Sequence, residues 1–423
     1  MKLSKYSFGV GDRFAREADA QLKAIVEAKN EGIEISPVWN KSYREHHIIH
    51  SNPEDTFKAA EHAVKKLGWE APYYVDADHI NMETVDYFID HANFFTLDVA
   101  DFINQEVPEE EVQAFIQEQQ DYLGYLSIPG IETPFEVTRD FLLQTAGKYL
   151  KAAKEALKIC QHISAQKGIG SFITEVSMDE VDDPQSPLEM FFILKMLSPI
   201  PLQTIAPKFT GQFYKGVDYV GDVNKFEKEF DEILYVLEYA KSQFNLPTDL
   251  KLSIHSGSDK FSIYPVIKKL TRKHDQGIHL KTAGTTWLEE VIGLALSGEE
   301  GLSLVKDIYS EALGRMEELC GPYRTVIDIH TENLPSVAEV RTWDGGKFAN
   351  TLRHIPGHPD YNSNFRQLIH VGYKIAAQMG GKYIHALEKY HDIISKQVYE
   401  NLMERHIKRI FPVVETNKNG GNK

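Results

Sequence analysis

Residues 226–261 read FEKEFDEILYVLEYAKSQFNLPTDLKLSIHSGSDKF. Apolar residues recur at three- and four-residue steps as far as Phe244, the spacing of an amphipathic helix, and Leu250 to Ser256 then suits a short buried strand. That strand runs into Ser256, Gly257, Ser258, Asp259 and Lys260, which have little to bury and much to bond. A helix feeding a strand with a polar carboxyl end is one unit of a parallel sheet covered by helices.

The unit repeats. Apolar, β-branched runs at IEISPVW (33–39), APYYVDADH (71–79), NFFTLDV (93–99), GSFITEV (170–176), PLQTIAP (201–207), LKLSIHS (250–256) and GIHLKTA (277–283) alternate with helical stretches such as NPEDTFKAAEHAVKKLG (52–68). With TVIDI (325–329) as an eighth strand, the pattern predicts an α/β fold of the TIM-like (β/α)8 barrel type rather than an open doubly wound sheet. About 70 residues between the third and fourth of these strands, including VPEEEVQAFIQEQQDYLGYL (107–126), are too long for an ordinary connection. They are expected to form a helical insertion, about 100–168, covering one mouth of the barrel. The expected organisation is an N-terminal segment packing on the barrel (1–30), the barrel with its insertion (31–350), a helical C-terminal extension (351–413) and a disordered tail (414–423).

The chain has 423 residues, 42% of them hydrophobic, and no run of apolar residues long enough for a membrane helix. MKLSKYSFGV (1–10) lacks the apolar stretch and cleavage site of a secretory signal, so a cytoplasmic protein is expected. Cys160 and Cys320 stand alone, which argues against a disulfide framework or a thiolate metal knuckle. With 46 Lys and Arg against 62 Asp and Glu, the formal charge of −16 disfavours nucleic acid and anionic membranes as partners. A small anionic substrate would need cations gathered locally.

In barrels of this type the site lies at the carboxyl ends of the strands, and polar residues collect there. Asp76, Asp78 and His79 end the second run, Glu175 and Ser177 the fourth, and Lys208 follows the fifth. His255, Ser256, Asp259 and Lys260 end the sixth, while His279 and Lys281 lie on the seventh. Alternation places Glu175 with Ser177, Ser253 with His255, and His279 with Lys281 on single strand faces. Taken singly, each has a plainer role as a core hydrogen-bonding group or a solvated charge. Taken together, His79, His255 and His279 could hold a divalent metal with positions left open, which is what a catalytic metal needs. Lys208, Lys260 and Lys281 would then concentrate positive potential for a small anion such as a carboxylated sugar.

Other clusters carry less. REHHIIH (44–50) lacks HExxH spacing, and GVGDRF (9–14) and KGIGSF (167–172) hold only a GxG, short of a dinucleotide fingerprint. RHIPGHPDYNSNFRQ (353–367) is a polar loop leading into a helix that could line or cap a substrate mouth.

SFGVGDRF (7–14), YYVDADHI (73–80), ITEVSMDE (173–180), SIHSGSDKFSIYP (253–265), HLKTAGTTWLE (279–289) and HPDYNSNFRQLIHVGYKIAAQMG (358–380) together resemble the tagaturonate epimerase family, from about residue 7 to about 385. The resemblance implies a metal-dependent barrel enzyme of hexuronate catabolism that interconverts D-fructuronate and D-tagaturonate. It implies an acid/base pair at Asp78 and Glu175 and metal ligands at His79, His255 and His279. Lys208, Ser256, Asp259, Lys260 and Lys281 remain for substrate contacts. The metal is a divalent cation among Zn, Ni, Co, Mn and Fe.

The two ketouronates differ at carbon 4, β to the ketone at carbon 2, so removal of an α proton would invert the wrong centre. Transient oxidation would need a redox cofactor for which no motif is present. A retro-aldol route is expected instead: the carbon 4 hydroxyl loses its proton, the bond between carbons 3 and 4 breaks, a metal-held enediolate forms, and the aldehyde turns before recombining. A ketose isomerase or aldolase acting on a sugar acid, and a noncatalytic sugar-acid binding barrel, are the competing readings.

Overall fold

The computed structural model describes residues 1–282 and 284–413. The tail 414–423, expected to be disordered, lies outside the described residues. Eight parallel strands close into a barrel: β1 (Tyr6–Gly11), β2 (Ser36–Ser42), β3 (Tyr74–Ile80), β4 (Phe94–Asp98), β5 (Ile173–Ser177), β6 (Thr204–Ala206), β7 (Lys251–His255) and β8 (Ile278–Lys281). β1 pairs with β8 and with β2, which closes the ring.

Seven strands lie where the sequence places them, and the eighth does not. TVIDI (325–329) forms no strand. The missing strand is β1, drawn from the segment expected only to pack on the barrel. Gly9 on β1 pairs with Lys281, and a Cβ there would meet Lys281 Cγ at 2.8 Å, so glycine leaves room for that side chain.

Helices return the chain from strand to strand outside the barrel, among them Ala18–Asn30, Pro53–Leu67, Val223–Phe244 and Tyr264–Lys273. Their starts are written locally: Ser186 and Glu189 form a capping box at Pro187–Leu197, and the Asp222 carboxylate accepts backbone N–H bonds at Val223–Phe244. The large apolar core lies between these helices and the sheet. A second, small cluster of Leu3, Val38, Tyr74, Phe94 and Ile173 fills the lower lumen of the barrel. Polar side chains occupy the lumen above it, toward the strand ends.

Between β4 and β5 lie the helix Glu109–Glu118, a small antiparallel hairpin (Gly124–Leu126 with Phe135–Val137) and the long helix Arg139–Lys167. The cover expected from this insertion comes largely from elsewhere. Residues from the segments 207–215 and 323–326, with His370, wall the cavity at the strand ends, while the insertion contributes Asp101 near its start. Among the described residues no helix is long and apolar enough to cross a membrane.

Candidate active site

The lumen is built in layers. Lowest of the polar groups is His279, whose ring packs against Phe94 with centroids 5.2 Å apart and whose Nδ1 lies 2.9 Å from Ser7 Oγ. Burial holds its imidazole down at about 3, hence neutral.

Two residues on, Lys281 reaches three carboxylates: Asp76 Oδ2 at 2.8 Å, Asp78 Oδ1 at 2.9 Å and Glu175 Oε1 at 2.9 Å. Burial alone would push its ammonium down, but the three anions outweigh it and hold it well above the ordinary lysine value. Burial, with Asp78 and Glu175 close by, raises Asp76 to about 7 against the pull of Lys281. Burial also opposes ionisation of Asp78 and Glu175. For Asp78, Lys281 and His79 prevail and keep the carboxylate well below its usual range, while Lys281 and His255 do the same for Glu175.

Above this layer stand two imidazoles. His79 Nδ1 lies 3.0 Å from Asp78 Oδ1, and His255 Nε2 lies 2.8 Å from Glu175 Oε1. Their other nitrogens face one carboxylate oxygen, Asp179 Oδ1, at 3.8 Å from His79 Nε2 and 3.1 Å from His255 Nδ1. His79 sits beside a register shift in the β3–β4 pairing with φ +52°, a conformation uncommon outside glycine. The irregularity brings consecutive residues, Asp78 and His79, to one site. Burial would lower both imidazoles, but the neighbouring carboxylates raise His255 to about 9 and His79 well above its usual value.

His79, Asp179 and His255 each offer a ligand atom, all within 4.8 Å of one another. Their chemistry suits a divalent cation. Two imidazoles and a carboxylate are a familiar donor set, three protein ligands leave positions open, and a buried carboxylate stands behind each ring as metal-ligating histidines require. His79 Nε2 is buried and has no hydrogen-bond partner among the described residues. The negative surroundings that favour protons on these rings would equally favour a cation.

The structure thus assembles the expected residues only in part. His79 and His255 come together, but His279 lies deeper and faces Ser7, and the third position falls to Asp179. Glu175 lies under the floor of the cavity, not on it, so its carboxylate cannot reach a substrate from there, whereas Asp78 does line the cavity. Lys208 lines the wall, half-buried, and Lys281 reaches the floor.

The polar loop after β7 turns inward instead of facing substrate. Ser256 Oγ donates to Lys281 O at 2.7 Å. Asp259, fully buried, pairs with Arg366 at 2.9 Å, with His354 at 3.3 Å and with His406 at 3.2 Å. Lys260, also buried, donates to Val217 O at 2.7 Å and Tyr214 O at 3.0 Å. Ser256, Asp259 and Lys260 are therefore structural in this arrangement; they bind the loop to its neighbours and to the C-terminal helices. Gly257 does turn the chain beside the site, at φ +62°.

The cavity above the histidines measures about 390 Å³ and is lined also by Arg13, Asn40, Arg44, Glu180, Lys215 and Tyr323. Sequence reasoning missed most of these. Asp179 alone left a signal, because Glu175, Ser177 and Asp179 continue one two-residue alternation past the end of β5.

The model of a family described as tagaturonate epimerase matches residues 1–413. The tagaturonate/fructuronate epimerase of Thermotoga maritima is 28% identical over 431 residues, covering 97% of this chain and 80% of that protein. The native crystal structure of the fructuronate-tagaturonate epimerase UxaE from Cohnella laeviribosi is similar with a TM-score of 0.80 at 23% identity, covering 97% of this chain and 82% of that one. Its form complexed with one glycerol gives 0.77 at 23% identity, over 96% of this chain and 82% of that one. These two structures bear on the fold, an eight-stranded barrel. On the match over nearly its whole length, the chain belongs to the tagaturonate epimerase family and is an enzyme of the isomerase class.

Proposed function

We propose that the chain interconverts D-fructuronate and D-tagaturonate by inverting carbon 4, using a divalent cation held by His79, Asp179 and His255. The observation that carries this reading is the pairing of each cation-facing imidazole with a buried carboxylate behind it, Asp78 for His79 and Glu175 for His255. Such a cation supplies Lewis acidity, drawing off the negative charge that develops at the ketone oxygen.

The chain's own residues do the rest. Asp78, the one carboxylate of the expected acid/base pair that lines the cavity, takes the proton of the carbon 4 hydroxyl. As the bond between carbons 3 and 4 breaks, its electron pair passes to carbons 2 and 3, and carbon 4 becomes an aldehyde. The walls keep the two three-carbon fragments together while the aldehyde turns, and recombination returns the proton to the new hydroxyl. Glu175 acts through His255, and Lys281 keeps Asp78 and Glu175 ionised. Both are positioning residues.

The test is to strip metal from the protein, add single divalent ions with D-fructuronate, and look for D-tagaturonate. Absence of the epimer with every ion overturns the reading. Running the reaction in heavy water examines the route: bond cleavage leaves the hydrogens on carbons 3 and 4 in place, whereas deuterium fixed at carbon 4 would exclude it. A released three-carbon aldehyde acid in place of the epimer would make the protein an aldolase, and a moved carbonyl would make it a ketose isomerase.

A further inference from the structure

We infer that the substrate's carboxylate docks on Arg44 and Lys215, both set against the ring of Tyr323 at the upper wall of the cavity. This rests on the epimerase reading above. The cavity is electrically polar from floor to rim. At and beneath the floor, Asp76, Asp78, Glu175 and Asp179 crowd around Lys281 and two imidazoles, a place for a cation and not for another carboxylate. The rest of the lining carries Arg13, Arg44, Lys208 and Lys215, together with Glu45, which pairs with Arg13, and the carboxylates of Asp98, Asp101 and Glu180. A ketouronate therefore enters with its ketone and hydroxyls down and its carboxylate up.

Among these cations, Arg13 is already engaged: its Nε donates to Glu45 at 2.9 Å and its guanidinium lies 4.0 Å from the Tyr373 ring centre. Arg44 and Lys215 have no ion pair among the described residues. Their charged ends lie 5.8 Å and 5.9 Å from the centre of the Tyr323 ring, whose hydroxyl meets that of Tyr373 at 3.1 Å. Both cations thus lie within 6 Å of one ring centre, and neither side chain spends its hydrogen-bonding capacity on a partner among the described residues.

The turn carrying Lys215 is fixed by several buried groups. Lys215 N–H donates to Val326 O at 2.7 Å, and Gly216 N–H to Ser258 Oγ at 2.9 Å. Arg366 Nε donates to Gly216 O at 2.6 Å, and Lys260 ties down the carbonyls of Tyr214 and Val217. The buried SGSDK loop after β7 thereby positions Lys215 on one side while its strand positions His255 on the other. Lys208 is anchored as well, its N–H donating to Gln185 Oε1 at 2.7 Å and its carbonyl accepting from Gln185 N–H at 3.2 Å; Lys215 is preferred to it because it shares the Tyr323 ring with Arg44.

The experiment measures D-fructuronate kinetics with metal-loaded protein for Lys215→Met, Arg44→Met, Lys215→Arg and Lys208→Met, with thermal melts showing that each variant is folded. Each Met variant at Lys215 and Arg44 is expected to raise KM about 10- to 100-fold, the value of a charge-assisted hydrogen bond, with kcat within a few-fold of the parent. Lys215→Arg should recover most of the loss. An unchanged KM at Lys215 and Arg44, a larger loss for Lys208→Met, or a fall in kcat alone overturns the inference. If the parent protein forms no epimer, it is the functional reading that fails, before any variant is compared.

Discussion

The Nε2 of His255 lies 2.8 Å from the Oε1 of Glu175, across the intervening strand β6. With Nε2 engaged by the carboxylate, Nδ1 is left to face Asp179 and the proposed cation. Replacing Glu175 with glutamine removes the charge that steadies this ring and allows the wrong nitrogen to carry the proton. We expect Glu175→Gln to weaken divalent-cation affinity about 10- to 100-fold, as loss of a partner behind a metal-bound histidine does. Competition against a chelator of known affinity measures it. Unchanged affinity would remove Glu175 from the cation site.

Lys281 is the single ammonium among three buried carboxylates, so Lys281→Met leaves Asp76, Asp78 and Glu175 facing one another without their cation. Breaking a buried ion pair from one side costs about 3–5 kcal/mol, far more than the pair itself contributes. Denaturant midpoints of metal-free protein should fall accordingly. The loss should be smaller at pH 5 than at pH 8, because protonating a carboxylate relieves the repulsion. A loss that did not depend on pH would point to packing, not charge.

The barrel was legible because alternation and helical period are local properties, and the strand ends announced themselves by their polar residues. β1 escaped because its inward positions are Ser7 and Gly9, and a glycine that makes room for Lys281 has no meaning until β8 lies beside it. His279 and Lys281 were placed correctly on one face, but alternation gives direction and not depth, so His279 was read as a ligand while sitting one layer too low. Asp259 and Lys260 were misread for a different reason. Their partners, Arg366, His406, Tyr214 and Val217, come from far along the chain or from an irregular turn, and nothing local distinguishes a buried clamp from a substrate contact.

Away from the site, Glu290 is buried with its Oε2 accepting from the Tyr383 hydroxyl at 2.9 Å and its Oε1 without a partner among the described residues. Burial, helped by Asp12, raises it to about 8. Between the ordinary value near 4.5 and 8 the folded protein holds a proton that the unfolded chain has released, so stability falls as pH rises through that window. Glu290→Gln removes this dependence. At pH 5 and below it should match the parent, and at pH 8 it should be the more stable by something on the order of 3 kcal/mol. Denaturant midpoints at the two pH values provide the measurement; an equal difference at both would show that Glu290 is ionised in the fold.

His255, raised to about 9, and His79, raised well above its usual value, both favour the protonated form when no cation is present. Ligation needs them neutral, so a divalent ion must displace a proton from each ring. Affinity should therefore climb as pH rises toward 9, by about tenfold per proton per pH unit. The sign for the metal-free fold is opposite: the stability that charged His255 gains from Asp179 and Glu175 is full below about 6.5 and is lost as pH rises through 9. Added cation should then stabilise the protein more at pH 8 than at pH 6. Calorimetric titration at pH 7 in two buffers of different ionisation enthalpy counts the protons directly. Release of about two supports His79 and His255 as the ligands, and release of none would mean that neither ring gives up a proton on binding.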